Sequence, residues 1–132
     1  MTDIRDAVTS IFLGVIMISR RSEHSFREIL DGIKIKTLVF GEKTLMAEFM
    51  LKKGSILPSH SHPCEQTGYL VSGRIVLHVG EKSYEMNQGD SWCIPENIPH
   101  KADIAEDSVA LEIFSPARED YIQYFDKGST AE

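Results

Sequence analysis

The apolar stretches of this chain are short, and turn residues interrupt them at regular intervals. No other property of the sequence limits the fold as much. Candidate strands run Ile33–Phe40, Thr44–Lys52, Gly68–Val71, Arg74–Val79, Lys82–Met86, Ser91–Ile94, His100–Ile104 and Ser108–Phe114. Between them lie Gly41-Glu42-Lys43, Lys53-Gly54, Gly80-Glu81-Lys82 and Asn87-Gln88-Gly89-Asp90. Such clusters reverse the chain, because Gly reaches positive φ freely and Asn and Asp tolerate it. Evenly spaced short strands predict an all-β antiparallel sandwich or barrel. Two helical pieces are expected beside it. One is a single turn at Ser25–Leu30. The other opens at Ser115-Pro116, where Ser can cap and Pro is tolerated at the first helical position. Glu119 and Asp120 then suit the positive end of the helix dipole, and Tyr121, Ile122, Tyr124 and Phe125 would form an apolar face.

A chain of 132 residues suits one domain, and 42% hydrophobic residues can bury a core. The net charge of −6, with no basic run, argues against nucleic acid and against anionic membranes as partners. Two cysteines, Cys64 and Cys93, are too few for a disulfide framework, so reduced thiols and a cytoplasmic location are expected. The apolar run Ala7–Ile18 is too short to span a bilayer. Asp3 and Asp6 precede it and Arg20-Arg21 follow it, unlike an export signal. It reads as a strand in an extension over residues 1–19, ahead of a barrel domain over residues 20–132. A lone apolar terminal strand tends to add to a sheet edge, here across a homodimer. Met17 as the native start is a rival account of the same residues.

The chemistry concentrates in two segments. The first holds His60-Ser61-His62, followed by Gln66. In a strand, residues i and i+2 face the same side, so His-x-His aims two imidazoles at one point. The second, Gly89 to His100, supplies a third histidine through Pro95-Glu96-Asn97-Ile98-Pro99-His100. Three convergent imidazoles suit one divalent transition metal, with Ni, Zn, Fe, Mn and Co all admissible. His24 and His78 have no comparable neighbours and are expected at the surface.

Together the two segments, about Lys53 to His100, resemble the paired motifs of the cupin superfamily. The resemblance implies an antiparallel jelly-roll barrel holding one metal, with His60, His62 and His100 as ligands. Most cupins place a glutamate at the fourth ligand position, where this chain has Gln66. Glu65 is adjacent, but a one-residue slip in a strand points a side chain to the opposite face, so Gln66 is preferred. Three imidazoles and an amide would leave the full +2 of the metal uncompensated, giving a stronger Lewis acid that attracts anions.

A narrower similarity, to cupins of the pectin-degradation (KdgF) type, rests on His60 to Arg74 and on Leu111-Glu112-Ile113-Phe114-Ser115-Pro116-Ala117-Arg118-Glu119-Asp120. It implies conversion of unsaturated uronate monomers into linear keto sugars at a metal held by three His and one Gln. Glu112, Phe114 and Arg118 would then be the acid, the aromatic and the arginine of the site. Glu112 departs from the Asp of that type, and the extra methylene changes the reach of the carboxyl. In those roles Arg118 would clamp the substrate carboxylate, Glu112 would move a proton and Phe114 would pack on the sugar. The expected partner is thus a small anionic substrate. A metal-dependent dioxygenase and a non-catalytic metal- or sugar-binding module are the competing classes, because one barrel hosts many chemistries.

Overall fold

Inward and outward residues alternate along most strands of this chain, and that pattern assembles two antiparallel sheets around one core. The computed structural model describes residues 16–21, 26–125 and the backbone of 130–131. In chain order the strands are β1 (Ile18–Ser19), β2 (Arg27–Leu30), β3 (Ile33–Phe40), β4 (Leu45–Leu51), β5 (Ile56–His60), β6 (Glu65–Ser72), β7 (Arg74–Val79), β8 (Lys82–Asn87), β9 (Ser91–Ile94), β10 (His100–Ile104) and β11 (Ser108–Ser115). A short helix α1 (Glu119–Ile122) and strand β12 (Thr130–Ala131) complete it. A six-stranded sheet is ordered β2-β3-β4-β11-β6-β9, a four-stranded one β5-β10-β7-β8, and β1 pairs with β12. This is the expected antiparallel jelly roll.

The alternation is clearest in β4, β6 and β11, where every second side chain is buried. Ile35, Leu45, Phe49, Leu70 and Phe114 from the larger sheet meet Ile75, Leu77, Ala102 and Ile104 from the smaller one. Each fully buried aliphatic or aromatic side chain contributes about 1.5–3 kcal/mol relative to exposure. Among the described residues no helix is long and apolar enough to cross a membrane.

Three local expectations need correction. Arg27–Leu30 lies in a strand paired with β3, although Ser25–Leu30 reads as a helical turn. Tertiary pairing at a sheet edge outweighs the weak local helix preference there. Ile56–His60 is a strand that the sequence hides, because Pro58 interrupts the run. It is tolerated on β5, which is an edge strand with a bulge. Finally, Ser115 does not cap a helix. It continues β11 opposite Glu65, the Ser115–Pro116 peptide is cis, and α1 begins only at Glu119 after Arg118, with no side-chain cap. The predicted apolar residues still pack inward. Ile122 is buried, and Phe125 meets Phe40 edge to face at 5.3 Å. The expected strand over residues 7–18 lies outside the described residues up to residue 15, and Ile18 pairs with Ala131.

Candidate metal centre

The first two histidines converge differently from the expected strand geometry. His60 is the last residue of β5, and His62 lies beyond it in the loop to β6. His100 opens β10 and is the register partner of His60 across the β5–β10 pair. The backbone N–H of Asn97 donates to the His62 carbonyl at 2.8 Å, tying the His62 loop to the loop that leads into His100. Asn97 sits at φ 62°, a left-handed conformation that Asn tolerates better than most residues. The ring centroids are 4.2 Å apart for His60 and His100, 5.0 Å for His62 and His100, and 5.6 Å for His60 and His62. One potential ligand atom from each lies within 4.8 Å of the others.

Hydrogen bonding decides which nitrogens are free. His60 Nδ1 donates to the Pro58 carbonyl at 2.9 Å and His100 Nδ1 to the Ile98 carbonyl at 2.8 Å. A carbonyl only accepts, so these nitrogens carry the proton and each Nε2 keeps its lone pair. His100 Nε2 and His62 Nδ1 are buried without a hydrogen-bond partner. Burial is expensive for an unpartnered polar atom, and a cation is the partner that the His100 Nε2 lone pair can satisfy. Burial, opposed by the bond to Ile98 and aided by the neighbouring histidines and Arg118, brings His100 down to about 4. Burial also lowers His62, followed by the charge of Arg118. Both rings are therefore neutral near pH 7, as ligation requires. The residues present fit a divalent transition metal.

Gln66 and Glu65 separate as the strand pleat dictates. Gln66 is buried and Glu65 exposed on β6. Gln66 Oε1 lies 2.9 Å from His62 Nε2, while its Nε2 donates to Glu112 Oε2 at 2.9 Å. Trp92 Nε1 donates to Glu112 Oε1 at 3.2 Å. Glu112 is thus inside the barrel rather than at the solvent end of its strand. Burial pushes it up to about 8, against the lowering effect of the bonds from Gln66 and Trp92.

Arg118 arrives from the segment between β11 and α1. Its guanidinium carbon stands 3.8 Å from the Tyr121 ring centroid and 5.3 Å from that of Phe114. Its Nε and Nη2 donate to the two carboxylate oxygens of Asp120, each at 3.0 Å. That edge of the fork is therefore occupied by the protein itself, while Nη1 is buried without a partner. Phe114, 1% exposed, packs edge to face on His62 with centroids 5.5 Å apart. His60, Gln66, His100, Glu112, Phe114 and Arg118 all line one cavity of about 40 Å³. At roughly 10–15 Å³ for one water, it holds about three waters.

The sequence did not single out Trp92, Tyr121, Asp120 or Gly68 for this site. Gly68 is opposite both Glu112 on β11 and Trp92 on β9. A Cβ there would stand 2.2 Å from the indole, so only glycine lets Trp92 cross the strand to Glu112. The lone tryptophan was the available signal, but its partner is set by register. Cys64 is buried, and burial raises its thiol, while Cys93 is exposed; both are free. Neither belongs to the histidine group. His78 is partly exposed and engaged elsewhere, and His24 lies outside the described residues.

A profile of the Cupin domain family matches residues 47–115. The pectin degradation protein KdgF of Dickeya dadantii is 28% identical over 102 residues, covering 76% of this chain and 93% of that protein. The solved structure of KdgF from Halomonas sp. is similar with a TM-score of 0.74 at 25% identity, covering 78% of this chain and 96% of the other. An RmlC-like cupin from Shewanella frigidimarina gives a TM-score of 0.75 at 27% identity, covering 79% and 94%.

Proposed function

The chain belongs to the cupin family, and from that premise we propose that it is a metal-dependent cupin that opens or isomerises an unsaturated uronate. One observation carries the reading. Arg118, whose Nη1 is buried without a hydrogen-bond partner, lines the same cavity as His60 and His100. Asp120 already offsets the charge along one edge of the fork, so the open Nη1 asks for an acceptor, and a carboxylate oxygen is the strongest acceptor for a guanidinium N–H. The similarity to pectin degradation protein KdgF supports a uronate as the carrier of that carboxylate.

His60, His62, His100 and Gln66 would hold the metal. When bound it supplies Lewis acidity toward a ligand oxygen. The remaining work falls to the chain's own side chains. Arg118 is held by Asp120 and stacked on Tyr121, so it meets the carboxylate in a fixed position at little entropic cost. Glu112 is the carboxyl within the cavity and would give and take the proton moved between a sugar hydroxyl and carbon. Phe114 closes the wall behind His62 and keeps water out. A cavity of about 40 Å³ receives the reacting end of a ligand, with the rest of a sugar at its mouth.

The test is incubation with unsaturated galacturonate while its enol-ether absorbance is followed. Loss of absorbance that requires metal and disappears in Arg118→Ala supports the proposal. Metal-bound protein with no loss beyond the blank removes this substrate, and oxygen uptake on acidic metabolites then tests the dioxygenase alternative. The homodimer and the cytoplasmic location belong to the same proposal. A solution mass at the single-chain value ends the dimer part.

A further inference from the structure

A side-chain amide has two ends of opposite character, and only the oxygen can face a cation. We propose that Trp92 and Glu112 are positioning residues that orient the Gln66 amide, so that its oxygen faces the metal centre. The inference rests on the metal reading above. It follows from an unbroken chain of contacts: Trp92 Nε1 donates to Glu112 Oε1 at 3.2 Å, Gln66 Nε2 donates to Glu112 Oε2 at 2.9 Å, and Gln66 Oε1 lies 2.9 Å from His62 Nε2.

Reversing the amide would break the bond that Gln66 Nε2 donates to Glu112 Oε2. It would also turn the NH2 group toward the histidines. Each member of the chain removes one freedom from the next. Gly68 leaves room for the indole, since a Cβ would stand 2.2 Å from it. The indole N–H sets the Glu112 carboxyl, and Glu112 sets the amide. Trp92, Gly68 and Glu112 are successive partners across β9, β6 and β11, so the sheet register builds the row. A glutamate ligand has two equivalent oxygens and needs no such device. The chain that carries Gln66 at that position also carries the groups that orient it. Partners of this kind, one contact removed from a metal, typically change affinity when lost.

The experiment measures Zn²⁺ affinity by chelator competition and records the visible spectrum of the Co²⁺-loaded protein. It compares wild type with Glu112→Gln, Trp92→Phe and Gln66→Ala, and Glu112→Gln in the Gln66→Ala background. Thermal melts of the metal-free proteins confirm that each variant folds. Glu112→Gln can itself present an NH2 group to Gln66 and so releases the amide. The expected loss of affinity is about 10–100-fold for Glu112→Gln, with a smaller loss in the same direction for Trp92→Phe, and both with a shifted Co²⁺ spectrum. In the Gln66→Ala background Glu112→Gln should add almost nothing. Unchanged affinity and spectrum in a folded Glu112→Gln overturn the inference while leaving the metal centre standing. An effect of equal size in the Gln66→Ala background also overturns it, because Glu112 would then act without Gln66. A wild type that binds no metal overturns the metal reading and this inference together.

Discussion

Two histidines on the four-stranded sheet, His78 on β7 and His100 on β10, have opposite surroundings. His78 faces outward with both ring nitrogens engaged, Nδ1 with Ser83 Oγ at 2.7 Å and Nε2 with Asp103 Oδ2 at 2.8 Å. His100 faces inward with Nδ1 on a carbonyl and Nε2 buried without a partner. Asp103 lies on the same strand as His100 but at odd spacing, so the pleat sends the two side chains to opposite faces. A histidine whose hydrogen bonds are complete has nothing left to bind. One with a buried lone pair is unfinished, and His100 lines one cavity together with Arg118, whose Nη1 is likewise buried without a partner.

The largest expected effect breaks that contrast directly. Metal should raise the melting temperature of wild type and of His78→Ala, and should leave that of His100→Ala unmoved. At a metal concentration 100 times Kd the stabilisation is about 2.7 kcal/mol. Melts with and without chelator check it, and a metal response surviving in His100→Ala would erase the distinction between the two histidines.

The second prediction concerns pH. Glu112 is raised from 4.5 to about 8 in the folded chain, so the native state holds a proton that the unfolded state has released. Its contribution to stability is therefore lost as pH rises from about 4.5 to about 8, with a slope of at most about 1.4 kcal/mol per pH unit. Denaturant titrations of the metal-free protein at several pH values should show wild type losing ground to Glu112→Gln across that window. Parallel curves would mean that Glu112 titrates normally.

Third, Gly68→Ala should cost about 1–3 kcal/mol by overpacking against Trp92, read as a drop in the denaturation midpoint. The smallest effect belongs to the satisfied histidine. The pair of His78 with half-exposed Asp103 is worth about 0–1 kcal/mol, so Asp103→Asn should barely move the midpoint and should leave metal affinity unchanged. A change in metal affinity there would couple the two faces of the sheet and blur the comparison.

The strand alternation from Ile33 to Phe114 was readable because burial on one face imposes a period of two on the sequence itself. So were the inward placement of Gln66 and the outward placement of Glu65, which the pleat separates by a single residue. The recurrence of His60, His62 and His100 was equally visible, although its geometric reason changed: a strand end, a loop and a register partner bring the rings together. β5 escaped because Pro58 mimics a break and only sheet context makes it an edge strand. The early start of the helix at Ser115 was wrong because pairing of β11 with β6 competes with the local capping preference and wins.

The sequence by itself determined the all-β class, the three histidines and the neighbouring amide, carboxyl and arginine, because residue type and short-range periodicity are local quantities. Tertiary structure decided which atoms remain unsatisfied. Asp120 takes one edge of Arg118 and leaves Nη1, Trp92 crosses Gly68 to reach Glu112, and Ile98 and Pro58 hold two imidazoles by Nδ1. Those pairings join residues through strand register and loop closure, and a hydrogen bond is made or lost within an ångström that spacing along a chain does not encode.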